Sequence, residues 1–243
     1  MTLSTPTRIL TLLLATSLSF GLSACKKTSS APTNRSLKPD TKRRTTPKQV
    51  AKKPATKNVV LFVGDSLTAG FRLAKSEAFP YLIGQHWKKQ GVPFRTRNAG
   101  VSGDTSAGVL RRLNWILTPD VHTVFLTIGA NDGLRGFNLK HTKKNIAKII
   151  KTIQAKGVRV LLAGMQMPPN YGATYTKQFR SMYPALAKQF TLKLMPFLLK
   201  DVAGRKELNL SDGVHPNAKG HTIVTKNVLA FFQKEQLFAK AKR

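Results

Sequence analysis

The stretch that most constrains this chain is NVVLFVGDSLTAGF, residues 58–71, because a buried strand runs there straight into a polar turn. Val59, Val60, Leu61, Phe62 and Val63 form an unbroken apolar run, the pattern of a strand covered on both faces and placed in mid-sheet. The run stops at Gly64-Asp65-Ser66. A glycine there permits a sharp turn, and a small hydroxyl stands at the strand's carboxyl end, where open α/β sheets put their ligands. Taken alone, Gly-Asp-Ser is an ordinary turn followed by a helix N-cap. A phosphate-binding loop does not fit, since Gly70 is followed by Phe71 and Arg72 rather than by a lysine and a hydroxyl residue. Ser66 is the candidate nucleophile, provided that partners for it arrive further along the chain.

The pattern after this turn alternates helix and strand. A helix is expected over 76–90, where Phe79, Leu82, Ile83, His86 and Trp87 recur at helical spacing and Pro80 limits where it starts. A short strand follows near 94–98, then a helix carrying Val109, Leu110, Leu113 and Ile116 on one face, then a β-branched strand over 121–128. Residues 141–156 read as an amphipathic helix with Ile146, Ile149, Ile150 and Ile153 inward and its lysines solvated. A strand over 158–165, a helix over 175–190, a short strand near 192–195 and a closing helix over 216–232 complete the chain. Such alternation implies a mostly parallel sheet with helices on both faces and right-handed crossovers. There is no internal repeat. Ser66, Gly103 and Asn131 each lie just beyond a strand's carboxyl end, and in a parallel sheet those ends share one edge.

A serine hydroxyl needs a base within hydrogen-bond reach, itself oriented by a third group. Asp212-Gly213-Val214-His215-Pro216 offers both: the spacing lets the Asp212 carboxylate fold back onto the His215 ring, while Pro216 starts the closing helix. Acyl transfer also needs donors for an oxyanion. The Ser66 N–H, the Gly103 N–H and the Asn131 side-chain amide are candidates, Gly103 because no side chain blocks its N–H and Asn131 because its amide is a neutral donor. No metal site is expected, because His86, His122 and His141 lie in different elements without ligand spacing and His221 has no neighbouring carboxylate.

Gly64-Asp65-Ser66-Leu67, Gly103 within Ser-Gly-Asp-Thr, Gly129-Ala130-Asn131-Asp132 and Asp212-Gly-Val-His215 resemble, in order, the four sequence blocks of the GDSL/SGNH hydrolases. Ser-Gly-Asp-Thr-Ser, Asn-Asp-Gly-Leu-Arg-Gly at 131–136, the stretch around Pro168, Tyr171 and Gly172, and Tyr183-Pro-Ala-Leu-Ala-Lys resemble the bacterial multifunctional thioesterase/lysophospholipase/arylesterase branch. The resemblance covers residue 58 to the end. It implies a flavodoxin-like three-layer α/β/α sandwich with a central, mostly parallel sheet of about five strands. It also implies a Ser66–Asp212–His215 triad, an oxyanion hole of Ser66, Gly103 and Asn131, no cofactor, and hydrolysis of acyl esters or thioesters. Ala130 departs from the glycine common in that branch. Leu67, Leu134, Phe137, Met167, Pro168 and Tyr171 are the apolar loop residues expected to meet the acyl chain.

Charge and the N-terminus address location and partners. The chain carries 41 Lys and Arg against ten acids, a formal charge of +31, so an acid inside a motif is seldom there by chance. Arg8 precedes an apolar run that is short and Ser/Thr-rich for a membrane span, and Leu22-Ser23-Ala24-Cys25 resembles a bacterial lipobox whose cysteine is acylated. Residues 1–24 are therefore expected to be a signal peptide, Cys25 a lipidation site, and 25–57 a disordered basic tether, with the hydrolase domain over 58–243. Lys26 after Cys25 favours, by resemblance to Gram-negative lipoproteins, an outer-membrane address. Residues 26–57 hold eleven basic residues and one acid, too polar to bury a core and drawn to polyanions. The expected partners are a small acyl ester or lysophospholipid and an anionic membrane or cell-envelope polymer, with no nucleic acid, and the protein is expected to be a monomer. Two competing readings are a carbohydrate O-acetyl esterase and a non-catalytic polyanion-binding lipoprotein; export and the lack of aromatic–basic interleaving speak against a nucleic-acid module.

Overall fold

The computed structural model describes residues 56–237. The expected signal peptide, Cys25 and most of the tether lie outside the described residues. The elements run β1 (Val59–Gly64), α1 (Ser66–Ala69), α2 (Phe79–Lys89), β2 (Arg95–Gly100), α3 (Ser106–Ile116), β3 (Val121–Thr127), α4 (Ala130–Leu134), α5 (Leu139–Ala155), β4 (Arg159–Ala163), α6 (Ala173–Gln189), β5 (Lys193–Met195) and α7 (Ala218–Lys234). The sheet has five strands in the order β2-β1-β3-β4-β5, and every neighbouring pair is parallel. The step from β1 to β2 runs one way along the sheet and every later step the other. Right-handed crossovers therefore put α2 on one face and α3, α5 and α6 on the opposite one. α7 returns to pack on α2, and α5 packs between α3 and α6, giving three layers.

The burial patterns follow from those positions. Every residue of β1 is buried, as its apolar run requires of a strand flanked by β2 and β3 and covered on both faces. β2, at the sheet edge, is only half-buried, and its sequence RTRNAG is correspondingly polar. Between the sheet and the α2/α7 layer, Phe62, Phe79, Phe125 and Phe232 meet edge to face, with ring centroids 5.3 to 5.6 Å apart for the closest pairs. On the other side, Ile146, Ile149, Ile150 and Ile153 of α5 are fully buried. Each contributes about 1.5–3 kcal/mol by leaving water, so a single Ile150→Asp change would undo the docking of α5.

Local chemistry moves several boundaries from where periodicity puts them. The last strand–helix transition is one: α7 starts at Ala218, not at Pro216, because the Asn217 side chain accepts the Gly220 N–H and serves as N-cap. β2 runs on to Gly100, so Gly103 follows the strand end by three residues. The Gly129–Asp132 stretch, read as a strand end, holds a short helix of its own; Gly129 at φ 117 turns the chain into α4.

Candidate active site

Ser66 is the first residue of α1, directly behind the carboxyl end of β1. Gly64 has to be a glycine, since a Cβ there would run into the side chains of Thr68 and Thr127. Asp65 caps α1 by accepting the Leu67 N–H at 3.1 Å, and Gly70 ends the helix in a left-handed conformation at φ 80. Ser66, 8% exposed, is thereby held in the lining of a cavity.

His215 reaches it from the loop before α7. His215 Nε2 lies 2.8 Å from Ser66 Oγ, and His215 Nδ1 lies 2.9 Å from Asp212 Oδ2. The other oxygen, Asp212 Oδ1, accepts the N–H groups of Val214 and His215, each at 3.0 Å. Partial burial pushes the Asp212 carboxyl up, but those two N–H groups and the His215 ring outweigh it and hold the acid below the usual carboxylate range. A carboxylate only accepts, so the imidazole proton sits on Nδ1 and leaves Nε2 as the acceptor facing the Ser66 hydroxyl. Gly213, at φ 72, allows the backward fold of this loop, and Phe71 lies against the His215 ring with centroids 4.5 Å apart.

The three candidate oxyanion donors share a property. The Ser66 N–H, the Gly103 N–H and the Asn131 side-chain amide make no hydrogen bond among the described residues. Asn131 and Ser66 line the cavity; Gly103 stands on an exposed loop at φ 78, its carbonyl accepting from Arg135 at 2.9 Å. Unpaired donors on a fixed backbone are available to a developing negative charge without reorganisation.

Sequence reasoning missed what holds these loops together. Asp132, 2% exposed, accepts the Ser106 N–H at 2.8 Å, the Ser106 hydroxyl at 2.5 Å and the Thr142 hydroxyl at 3.3 Å. It thus ties the segment carrying Asn131 to the start of α3, just beyond Gly103. Arg112 pairs with Asp104 at 2.8 Å and donates to the Gly64 carbonyl at 3.3 Å, joining the Gly103 loop to the end of β1. The scarcity of acids was the available signal, since Asp104 and Asp132 both sit inside the motifs. His221, set aside as a metal ligand in the sequence, has a structural place: it is buried, stacks on Phe79, and its Nδ1 accepts the Phe79 N–H at 3.2 Å. Among the described residues, no group of three or more His, Cys, Asp or Glu is arranged to hold a metal ion.

The cavity has a volume of about 500 Å³. Leu67, Leu134, Met167 and Pro168 line it, as expected of acyl-chain contacts, whereas Phe137 and Tyr171 do not. Phe137 is 45% exposed. The Tyr171 hydroxyl donates instead to the Leu134 carbonyl at 3.1 Å and its ring stacks on Tyr175, which buttresses α4 from behind. Further lining residues were not expected: Phe197, Leu199, Ala203 and Gly204, on the segment after β5, line the same cavity as Ser66 and His215.

Residues 62–223 match the GDSL-like lipase/acylhydrolase family. The chain belongs to that family. It is 37% identical over 175 residues to Esterase TesA of Pseudomonas aeruginosa, covering 72% of this chain and 87% of that protein. It is 36% identical over 171 residues to the thioesterase 1/protease 1/lysophospholipase L1 of Escherichia coli K12, covering 70% of this chain and 81% of the other. Among solved structures it is similar to the psychrotrophic esterase EstA of Pseudoalteromonas, inhibited by monoethylphosphonate, at a TM-score of 0.72 and 32% identity over 74% of this chain and 99% of that one. This member of the GDSL-like family is a carboxylic ester hydrolase, and the parallel five-stranded α/β fold is that of its SGNH structural neighbours.

Proposed function

We propose that this chain hydrolyses acyl esters or thioesters of amphiphilic substrates through a Ser66 acyl-enzyme. The carrying observation is the unbroken chain Ser66 Oγ–His215 Nε2 at 2.8 Å and His215 Nδ1–Asp212 Oδ2 at 2.9 Å. In the first half-reaction, Ser66 Oγ attacks the acyl carbon as its proton moves to His215 Nε2. The carbonyl oxygen becomes an oxyanion facing the Ser66 and Gly103 N–H groups and the Asn131 amide. Collapse of the tetrahedral intermediate breaks the bond to the alcohol or thiol, which leaves with the proton from Nε2. Water then repeats the sequence: His215 takes its proton, the hydroxide attacks the acyl carbon, and Ser66 recovers its proton as the carboxylic acid departs. Asp212 holds the ring in one tautomer and stabilises its imidazolium form.

The substrate reading rests on the cavity. A cavity of about 500 Å³ whose lining includes Leu67, Leu134, Met167, Phe197 and Leu199 accepts more than an acetyl group, which favours lysophospholipid, aryl ester or acyl thioester over sugar O-acetyl removal. Lysophospholipase is the favoured physiological activity. Export and acylation at Cys25 belong to the same proposal, with the basic segment before the domain bringing the enzyme to an anionic envelope surface. Hydrolysis rates across p-nitrophenyl esters from acetyl to long acyl chains, set beside lysophosphatidylcholine, test the reading. A preference for medium or long chains supports it; a rate that falls steadily beyond acetyl overturns it in favour of a deacetylase.

A further inference from the structure

Trp115 stands out from the rest of the surface. It is 84% exposed, whereas Trp87 is 2% exposed, and large aromatic rings are seldom left in water without a partner to receive them. Trp115 lies in the last turn of α3. Helices in this sheet run opposite to the strands, so their C-terminal ends gather at the amino edge, across the sheet from Ser66. The first described residues enter at that same edge, where the N–H groups of Asn58 and Val59 both donate to the Asp120 carbonyl, five residues beyond Trp115.

The edge is also cationic. Arg111 is exposed one turn before Trp115 on the same helix and makes no ion pair among the described residues. Lys57 precedes β1 and Lys156 closes α5, both exposed and both without an ion-pair partner among the described residues. Arg95 starts β2 with its side chain 66% exposed and shares Asp120 with Arg97. Cations at helix ends are an ordinary complement to the helix dipole, and lysines alone would carry nothing. An exposed indole among them is different, because tryptophan settles at the headgroup level of a bilayer while neighbouring Lys and Arg meet anionic lipid.

We infer that the amino edge of the sheet, centred on Trp115 and Arg111, docks on an anionic lipid bilayer and leaves the catalytic edge facing away from it. Thr56 and Lys57, the first described residues, stand at this edge, and the sequence before them is strongly basic. The consequence for substrate rests on the esterase reading above, although the docking itself does not. A catalytic edge turned to the aqueous side draws its acyl esters from solution, as monomers or micelles, rather than from the bilayer on which the protein sits.

Because Trp87 is buried, tryptophan emission of the full chain reports Trp115. Titration with phosphatidylglycerol-containing vesicles is expected to shift emission to the blue and to allow quenching by lipids brominated near the headgroup, while pure phosphatidylcholine vesicles leave it unchanged. Trp115→Ser is expected to weaken binding to the anionic vesicles, and Arg111→Ala to weaken it about fivefold, the effect of one basic residue near such a surface. Turnover of a short, soluble p-nitrophenyl ester is expected to persist at saturating vesicle. Vesicle binding with no change in emission would overturn the inference, since segment 26–57 alone would then be responsible. A blue shift that grows with protein concentration in the absence of vesicles would also overturn it, in favour of a second copy of the chain covering Trp115. Loss of soluble-ester turnover on vesicle binding would mean docking by the catalytic edge and overturn it again. Absence of ester turnover without vesicles would instead count against the esterase reading and leave the emission result standing.

Discussion

Asp65 is an acid placed where an acid is costly, and replacing it should stabilise the protein in a pH-dependent way. The carboxyl is 1% exposed. Burial pushes it up to about 7; the N–H groups of Leu67 and of Asp65 itself pull it down, and the charges of Asp104 and Asp132 push it up again. Below the unfolded value near 3.8 the group is protonated in both states and contributes nothing to the pH dependence. Between that value and about 7 the folded state holds the extra proton, so stability falls as pH rises, and above about 7 the loss is complete. At 1.36 kcal/mol per unit, the loss is about 4 kcal/mol at pH 8 and about 1–2 kcal/mol at pH 5. Asp65→Asn keeps the cap on Leu67, because Asn serves at that position as well as Asp. Urea unfolding of the variant is therefore expected to show a gain of up to about 4 kcal/mol at pH 8 and about 1–2 kcal/mol at pH 5, with Tm up by about 10 °C at the higher pH. An equal change at both pH values, or a loss at pH 8, would refute the reasoning.

Three further perturbations follow from the same geometry. Asp212→Asn leaves the loop in place but lets the His215 proton move to the wrong nitrogen, and kcat is expected to fall by about 10³- to 10⁴-fold in a steady-state ester assay. Asn131→Ala removes one oxyanion donor and is expected to lower kcat by about 10²- to 10³-fold with KM little changed; an equal rise in KM instead would assign Asn131 to substrate binding. Burial, with a smaller contribution from the His215 charge, pushes the His221 imidazole down to about 4 from 6.5. Its stabilisation is full above pH 6.5 and is lost as pH falls to about 4, a change of about 3 kcal/mol that should be absent in His221→Asn when unfolding is followed across that range.

Much of the fold was legible because its strongest signals are apolar and local. The run from Val59 to Val63 could only be a covered strand, and the isoleucines of α5 could only face inward. The four motif blocks were legible for another reason: each puts glycine beside polar residues in a turn, the first three just beyond a strand end and the fourth in the loop before α7. What escaped was set by contacts between distant segments. No periodicity shows that Asp132 holds Ser106 and Thr142, or that Arg112 ties Asp104 to the Gly64 carbonyl. Phe137 and Tyr171 looked like acyl-chain contacts because they are apolar and lie in loops expected above the sheet edge. Phe137 is exposed and the Tyr171 hydroxyl bonds the Leu134 carbonyl, while Phe197, Leu199 and Ala203 line the cavity from a stretch without secondary-structure periodicity to flag it. The start of α7 was misplaced by two residues because Pro216 is a plausible first helical residue, whereas the Asn217 side chain makes the cap.

The central claim is that Ser66 carries the acyl group, and intact-protein mass spectrometry tests it most directly. Incubation with a p-nitrophenyl alkylphosphonate should release one p-nitrophenolate per chain, leave one phosphonyl group on the peptide containing Ser66, and abolish ester hydrolysis in step with labelling. Ser66→Ala should neither take up the label nor hydrolyse ester. Hydrolysis that persists in Ser66→Ala, or a phosphonyl group found on another residue while Ser66 stays free, would contradict it.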